Sequence, residues 1–524
     1  MATAFDSYSS TGAPTRLPRL NVTDIAVTTF VLWLPANSIF LQHRQFVPFE
    51  YLQLLSVILC YAGIRLLRPR ISIVLGVIAI WSAAETVIAI LQLSGCVESN
   101  HVLFPVTGSF RNPGPLGGFL ALGLTIMFGN ISVLRNKKNI FTAVCIFVAT
   151  AIIAMLIISD SRAGWLAAIT GILLLQWQNI HAKLLKLSLL KKFVVTIIII
   201  MLVIILYQHK SQSAEGRLLT WRVTADMIAD KPVTGQGIGS FTELYMYYQA
   251  NYFKQHPDSR FIDCASVVDR PYNDFLRLLS EEGIIGAIIL CLMIYGIIVN
   301  SKRERRTVNA ALASIAVFSM FSYPSYITQF QLSFAALLAC THCSKRPNET
   351  GRHALSVAGI LMLVFCTYSI FYFHTSMEHA ENGLRNFLST GNSASIDKTI
   401  IYNNPRLLDI YATHMSGSKR QEILKIAAIK APSPNLLCNL ATELADSDYV
   451  QAEKLLHTAH FMIPYMVRPQ YELYRLSAEH GDTAQARTII KNFLDGHTKV
   501  ESSAALQMTG EMKRYYKNTS QCKE

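Results

Sequence analysis

The chain has 524 residues, of which 51% are hydrophobic and only 15% are charged, and its formal net charge is +13. This composition is typical of a membrane protein and argues against an ordinary soluble protein. The basic excess argues little for nucleic-acid binding, because much of it lies in short runs between apolar segments, as in the cytoplasmic loops of membrane proteins.

Residues 1–20 are polar and lack the apolar stretch of a signal peptide, so we predict a cytoplasmic N-terminus that is not cleaved. A transmembrane domain is predicted over residues 21–373, where apolar stretches reach the roughly 20 residues that a helix needs to cross a bilayer. We predict about eleven spans, near residues 22–42, 49–67, 71–95, 115–134, 139–159, 163–179, 192–208, 283–300, 307–323, 326–343 and 354–373.

The basic runs predict how these spans are oriented. Cytoplasmic loops are enriched in lysine and arginine, and eleven spans with the N-terminus inside place all five runs in the cytoplasm. The runs are Arg65–Arg68–Arg70, Arg135–Lys137–Lys138, Lys183–Lys186–Lys191–Lys192, Lys302–Arg303–Arg305–Arg306 and Lys345–Arg346–Arg352. The sequence therefore predicts an all-α, polytopic bundle with its N-terminus inside and its C-terminus outside.

The predicted outer side contains a long loop at residues 209–282, together with shorter loops near residues 96–114, 159–162 and 322–326. Loops of more than about 15 residues are uncommon unless they are functional or disordered. Because the long loop is rich in aromatic residues and spaced glycines, we predict that it is folded.

Residues 374–524 form a predicted outer domain with an amphipathic helical pattern. The stretches that follow Asp448 and Asp482 match at an offset of 34 residues, which is the period of tetratricopeptide repeats. The pattern favours a TPR-like α-solenoid, with an unrelated helical bundle as the alternative. Stacked helix pairs present a concave surface that suits the docking of a partner.

Arginines occur among glycines and aromatic residues in several outer segments. They include Arg111 in GSFRNP, Arg162 in SRAGW and Arg217 in GRLLTW, while YNDFLRLLSEEG, which begins at Tyr272, closes the long loop. Arginine grips phosphate with two parallel hydrogen bonds and stays charged in proteins. Several arginines at one surface predict a diphosphate site, although such arginines also bind lipid headgroups or local acids.

These motifs, in this order and on one side of the membrane, resemble the O-antigen ligase superfamily, which includes bacterial O-oligosaccharyltransferases and some O-antigen polymerases. The resemblance extends over roughly residues 70–340. It implies a glycosyltransferase of the bacterial inner membrane whose active face and C-terminal domain are periplasmic. The implied donor is a glycan linked to polyprenyl diphosphate, and the implied transfer is inverting and uses neither a metal nor a cofactor.

The resemblance also implies roles for individual residues. Arg162 and Arg217 would bind the donor diphosphate, with Arg111 as a third ligand and Arg217 acting in catalysis. Relatives commonly have histidine where this chain has Tyr272, and tyrosine is a poor base at neutral pH because its ordinary pKa is about 10. Tyr272 would then position the acceptor, or Asp274 would replace the missing base, with His256 and Glu281 as further candidates.

Several functions remain open at this point. The acceptor hydroxyl belongs to a protein serine or threonine, to the lipid A-core of lipopolysaccharide, or to another glycan, and the helical repeats slightly favour a protein. The alternatives are an O-antigen polymerase and a non-enzymatic transporter of lipid-linked glycans. Glu85, near the middle of the third span, either lines a path through the membrane or is bonded inside the bundle.

Overall fold

The computed structural model describes residues 20–44, 51–134, 140–185, 188, 193, 197, 201, 211–300, 302, 305–341, 349–391, 396–496 and 502–521. The regular elements of these residues are helices, so the prediction of an all-α protein is confirmed. The N-terminal residues 1–19, most of the seventh predicted span, and the basic runs at residues 135–138 and 345–346 lie outside the described residues.

Within the described residues, twelve helices carry the predicted membrane domain and the long outer loop. They are α1 (Val22–Ala36, continued by a π-helical turn at Asn37–Leu41), α2 (Leu52–Leu67), α3 (Ile71–Leu93), α4 (Pro113–Leu134), α5 (Ile140–Ile158), α6 (Arg162–Leu185), α7 (Ser211–Asp230), α8 (Ser240–Gln255), α9 (Asp274–Val299), α10 (Arg306–Ser319), α11 (Thr328–Ala339) and α12 (Glu349–Thr390).

Among the described residues, four helical stretches are long and apolar enough to cross a membrane, and two further apolar helices are shorter. The long stretches are Val22–Leu41, Ile71–Leu93, Asp274–Val299 and Leu355–Thr390, and the shorter ones are Leu52–Leu67 and Thr142–Ile158. The protein is therefore a multi-pass membrane protein. The total of eleven spans and the side that each end faces stay predictions.

Small residues allow the central helices of the bundle to come close together. A Cβ atom on Gly164 in α6 would lie 2.6 Å from the backbone of Gly117 in α4. A Cβ on Gly118 would lie 2.3 Å from the ring of Phe318 in α10. Because only glycine fits at such close approaches, these three helices pack tightly where α6 begins.

A kink in α9 joins the long outer loop to the bundle. Gly283 has a φ of 62° inside this helix, and the backbone N–H groups of Ile284 and Ile285 donate to the carbonyls of Pro232 and Val233 at 2.9 and 3.2 Å. The loop thus supplies hydrogen bonds that the broken helix lacks.

The other side of the same joint is formed by the end of the first helix. The amide of Asn37 donates to the carbonyls of Thr234 and Glu281, and the hydroxyl of Ser38 accepts the N–H of Ile238 at 2.9 Å. The spaced glycines between residues 235 and 239 therefore serve this joint.

In the described parts of the chain from residue 396 onward, eight more helices form the tail. They are α13 (Lys398–Tyr402), α14 (Pro405–His414), α15 (Ser418–Lys430), α16 (Pro434–Leu444), α17 (Tyr449–Met462), α18 (Val467–Glu479), α19 (Thr483–Asp495) and α20 (Ser503–Gln521). Asp448 and Asp482 cap α17 and α19 in the same way, each accepting the N–H three residues on. The 34-residue offset thus corresponds to two similarly begun helices, while the TPR classification stays a prediction.

The tail and the long outer loop share one hydrophobic core. Phe241 and Tyr245 of α8 lie in the same buried cluster as Leu408, Leu437 and Met462 of the tail. Helix α12 also runs without a break through the predicted boundary at residue 373, and its Ala380 and Leu384 enter this cluster. The outer loop and the tail are therefore packed as one body.

Candidate functional site

A cavity of about 710 Å³ lies at the end of the bundle where the long outer loop attaches. Its wall combines residues from the bundle, the outer loop and the tail, within the ranges 104–106, 112–115, 158–163, 213–220, 263–268, 318–323 and at positions 272 and 465. Arg162, Arg217 and Tyr272 all line it, although 110 residues separate the first from the last. Arg111 and Asp274 do not belong to its lining.

Arg217 lies in the first half of α7 and is half-buried. One guanidinium nitrogen donates to the carbonyl oxygen of Phe321 at 2.9 Å, and the group lies 5.5 Å from the centre of the Tyr272 ring. Burial lowers the pKa of Arg217, and the positive charge of Arg162 lowers it further. Two cations thus share one polar wall, an arrangement that suits an anion with two or more charges.

Arg162 is the first residue of α6, and the SRAGW motif shapes the turn that precedes it. Asp160 has a φ of 48°, the hydroxyl of Ser161 accepts the N–H of Gly164 at 3.2 Å, and the indole of Trp165 donates to the Leu156 carbonyl at 2.9 Å. The turn therefore fixes Arg162 at the N-terminal end of a helix, where backbone dipoles also favour an anion.

Tyr272 is held against Arg217 in an unusual backbone conformation. Its φ of 52° is rare for a bulky residue, whereas histidine occurs there more readily. The indole of Trp221 donates to the carbonyl of Pro271 at 3.0 Å, and the Tyr272 ring meets the Tyr323 ring edge-on at 5.5 Å. Strained residues held by surrounding contacts are typical of functional sites.

The protonation of Tyr272 argues against its use as a base. Burial raises the pKa of its hydroxyl, and the nearby carboxylate of Asp269 raises it further. The hydroxyl therefore keeps its proton at neutral pH and is suited to donating a hydrogen bond.

Asp274 lies outside the cavity lining and contacts Ser325. Its carboxylate accepts hydrogen bonds from the backbone N–H of Ser325, at 3.0 Å, and from the Ser325 hydroxyl. The contact ties the start of α9 to the turn between α10 and α11. Asp274 therefore holds together two chain segments that border the cavity, without lining the cavity itself.

The two other candidate bases also lie elsewhere. A ring nitrogen of His256 is 2.9 Å from the carbonyl oxygen of Tyr252, and the buried carboxylate of Glu281 lies 3.3 Å from the Arg277 guanidinium. Neither His256 nor Glu281 lines the cavity.

Arg111 does not line the cavity but contacts α12. Its side chain is 69% exposed and forms an ion pair of 3.3 Å with Glu381, which lies in α12 beyond the predicted boundary at residue 373. The next residue, Asn112, does line the cavity, and its side-chain oxygen accepts the N–H of Gly114 at 2.8 Å.

Glu85 supports the loop that carries Arg111. Its two carboxylate oxygens accept from the hydroxyl and the backbone N–H of Ser109, at 2.6 and 2.9 Å. Two turns further along α3, Gln92 accepts the N–H groups of Thr107 and Gly108. Glu85 is thus bonded inside the protein to the loop between α3 and α4.

The cavity also contains residues that the sequence did not single out, notably Tyr323, the segment 263–268 and Tyr465. The Tyr323 ring meets the Tyr272 ring edge-on, and its centre lies 4.4 Å from the guanidinium of Arg270. The aromatic turn around Tyr323 was visible in the sequence, whereas nothing in the sequence linked Tyr465 in the tail to this site.

The fold and the site thus define a multi-pass membrane protein with a cationic cavity at one end of its bundle. Residues 146–291 match the profile of the family described as O-antigen ligase, which confirms the resemblance over that range. The match includes Arg162, Arg217 and Tyr272 and implies a membrane glycan ligase or polymerase. No curated protein and no solved structure matches the chain.

Proposed function

We propose that this protein transfers a glycan from a polyprenyl-diphosphate donor to a hydroxyl acceptor at the periplasmic face of the bacterial inner membrane. The acceptor hydroxyl belongs to a protein serine or threonine or to the lipid A-core. The observation that carries the proposal is the pair formed by Arg162 and Arg217 in one cavity within the family match.

The cavity has surfaces for both parts of such a donor. The diphosphate would lie between the two guanidinium groups, which can each bind phosphate oxygens with parallel hydrogen bonds. The apolar part of the lining, including Phe104, Ile158 and Phe318, continues toward the bundle and suits the first isoprene units of the lipid.

In the proposed reaction the acceptor oxygen attacks the anomeric carbon from the face opposite the diphosphate. The new C–O bond forms while the bond from that carbon to the diphosphate oxygen breaks, and the electron pair leaves with the diphosphate. The acceptor proton passes to water. Charge develops on the leaving oxygen, where Arg162 and Arg217 stabilise it.

Tyr272 positions the acceptor in this scheme. Its protonated hydroxyl would donate to the attacking or an adjacent oxygen, and its ring keeps Arg217 oriented. Trp221, Asp274 and Ser325 hold the two segments on either side of it.

The test is complementation in a host from which the gene has been deleted. Arg217→Ala and Arg162→Ala should each lower glycan transfer by about 10²- to 10³-fold, the usual effect of losing one group that stabilises a developing anion. Arg260→Ala is the matched control, because Arg260 is 72% exposed, lies in the same outer region and pairs with Glu215.

Mass spectrometry of periplasmic proteins and gel analysis of lipopolysaccharide would show which acceptor loses its glycan. The lipid-linked donor should accumulate in the deletion strain and in both cavity variants. Full transfer by Arg217→Ala and Arg162→Ala would rule out the diphosphate-binding role.

A further inference from the structure

One wall of the cavity is built jointly by the outer loop and the tail. The segment 263–268, between α8 and α9, lines the cavity together with Tyr465, which lies between the tail helices α17 and α18. Within this segment Ala265 and Val268 are buried, whereas Ser266 and Val267 are exposed. The wall is therefore a short stretch of accessible chain backed by the tail.

Two hydrogen-bonding side chains fix this segment to the tail. The Tyr465 hydroxyl donates to the carbonyl of Ala265 at 2.9 Å. The amide of Gln249, which is fully buried, donates both to the carbonyl of Ser266 at 3.2 Å and to the carbonyl of Met462 at 2.7 Å. Any shift of α17 would therefore move the cavity wall.

The charge of this wall differs from that of the arginine wall. Residues 263–268 and Tyr465 include one acid, Asp263, and no cationic side chain. The cationic groups that match the donor's diphosphate thus belong to the arginine wall. The wall at residues 263–268 is left for a molecule that arrives beside the donor.

The backbone of the segment offers hydrogen bonds to such a molecule. Ala265 is extended, with φ −62° and ψ 131°. Among the residues that the structure describes, the N–H groups of the exposed Ser266 and Val267 have no hydrogen-bond partner. Free main-chain donors on an accessible segment can pair with the carbonyl groups of an extended peptide.

We propose that residues 263–268 and Tyr465 form the acceptor wall, and that the tail selects a polypeptide acceptor by setting the position of this wall. Tyr465 is a positioning residue in this scheme, acting through Ala265. The inference rests on the proposed function, because it presupposes that the donor lies at Arg162 and Arg217. A polypeptide carrying serine or threonine would reach the wall from the water side, past the tail.

The experiment compares Tyr465→Phe, which removes one hydrogen bond and keeps the ring, with Tyr465→Ala, which also removes the ring from the wall. Tyr471→Phe is the matched control, because its hydroxyl bonds Glu511 at 2.5 Å elsewhere in the tail. Full-length variants are assayed in the deletion host for glycans on periplasmic proteins and on lipid A-core. The purified variants are titrated with undecaprenyl diphosphate as a probe of the donor site.

Tyr465→Phe should lower protein glycosylation by about 3- to 10-fold, the value of one hydrogen bond, and Tyr465→Ala should lower it further. Undecaprenyl diphosphate affinity should not change in either, and Tyr471→Phe should match the wild type in both assays. Unchanged glycosylation in both Tyr465 variants would overturn the proposal. A parallel loss of undecaprenyl diphosphate affinity would do the same, as would glycan on lipid A-core alone.

Arg217→Ala separates this inference from the proposed function. It should lose both undecaprenyl diphosphate affinity and transfer. If it keeps both, the donor site itself is misassigned, whatever the Tyr465 variants show. If it loses both while the Tyr465 variants behave as wild type, only the acceptor wall is misassigned.

Discussion

Arginine side chains lie at both ends of the helix bundle, and the two ends differ in what surrounds them. At the end where α2 finishes, Arg65 forms an ion pair with Asp24, and the same carboxylate accepts the hydroxyl of Tyr61 at 2.6 Å. At the cavity end, Arg217 lies near a second cation, Arg162, and near the neutral hydroxyls of Tyr272 and Tyr323, whose pKa values are raised by burial.

The difference separates a structural site from a binding site. A buried cation that is paired with a carboxylate is neutralised within the protein, and breaking the pair leaves an uncompensated charge. Two cations placed together raise each other's electrostatic free energy, so the pair is stabilised when an anion binds between them. The cavity end is therefore the part of the bundle that is built for a ligand.

The largest expected change in the free energy of unfolding tests this comparison directly. Arg65→Ala should destabilise the protein by about 3–5 kcal/mol, because it leaves Asp24 buried without its partner. Arg217→Ala should leave stability nearly unchanged, because it removes a cation from beside another cation. Thermal unfolding and the folded yield in detergent measure both. A Arg217→Ala variant that is as unstable as Arg65→Ala would make the cavity end a structural site as well.

A smaller loss of stability is expected at the kink of α9, where the long outer loop joins the bundle. A Cβ on Gly283 would lie 2.3 Å from the carbonyl oxygen of Val233, and its φ of 62° disfavours any other residue. Gly283→Ala should therefore cost about 2–4 kcal/mol through backbone strain and overpacking, measured by thermal unfolding.

Gly76→Ala provides the control for that variant. Gly76 lies in the apolar helix α3, and a Cβ there would meet nothing within 4 Å. If both alanine variants unfold at the wild-type temperature, the kink in α9 is not a tight joint.

The sequence predicted much of the cavity end because its motifs follow or precede apolar spans. Arg162 and Arg217 were expected to lie together on that basis, and the structure places them in one cavity with Tyr272. Arg111 and Asp274 belong to the same motifs but point away from the cavity. Which way a side chain points from an irregular loop depends on tertiary contacts, here Glu381 and Ser325.

The contacts between the tail and the cavity could not be predicted from sequence patterns. Tyr465 lies 200 residues after Ala265, and the contact between them depends on how α8 packs against α17. The boundary predicted at residue 373 marked only the end of an apolar stretch. The helix itself continues because neither glycine nor proline occurs between residues 373 and 380, and its Ala380 and Leu384 then enter the tail core.

The smallest expected effect on transfer concerns Tyr272, which lines the cavity beside Arg217. Tyr272→Phe keeps the ring contacts with Arg217 and Tyr323 and removes only the hydroxyl, so transfer should fall by about 2- to 10-fold. Because burial raises the pKa of Tyr272, its hydroxyl is protonated in the wild type at neutral pH. The pH–rate profiles of wild type and Tyr272→Phe should therefore run parallel below the ordinary tyrosine pKa of about 10.

Histidine at this position offers the complementary measurement. Tyr272→His places a side chain with an ordinary pKa of about 6.5 in a backbone conformation that histidine tolerates. Transfer by this variant should rise with pH through that range, as it would if a neutral imidazole accepted the acceptor proton. A steep pH dependence that is present in the wild type and lost in Tyr272→Phe would instead make the tyrosine itself the base. The cavity end would then contain a base beside Arg217, and the comparison with the Arg65–Asp24 pair at the other end would have to include its negative charge.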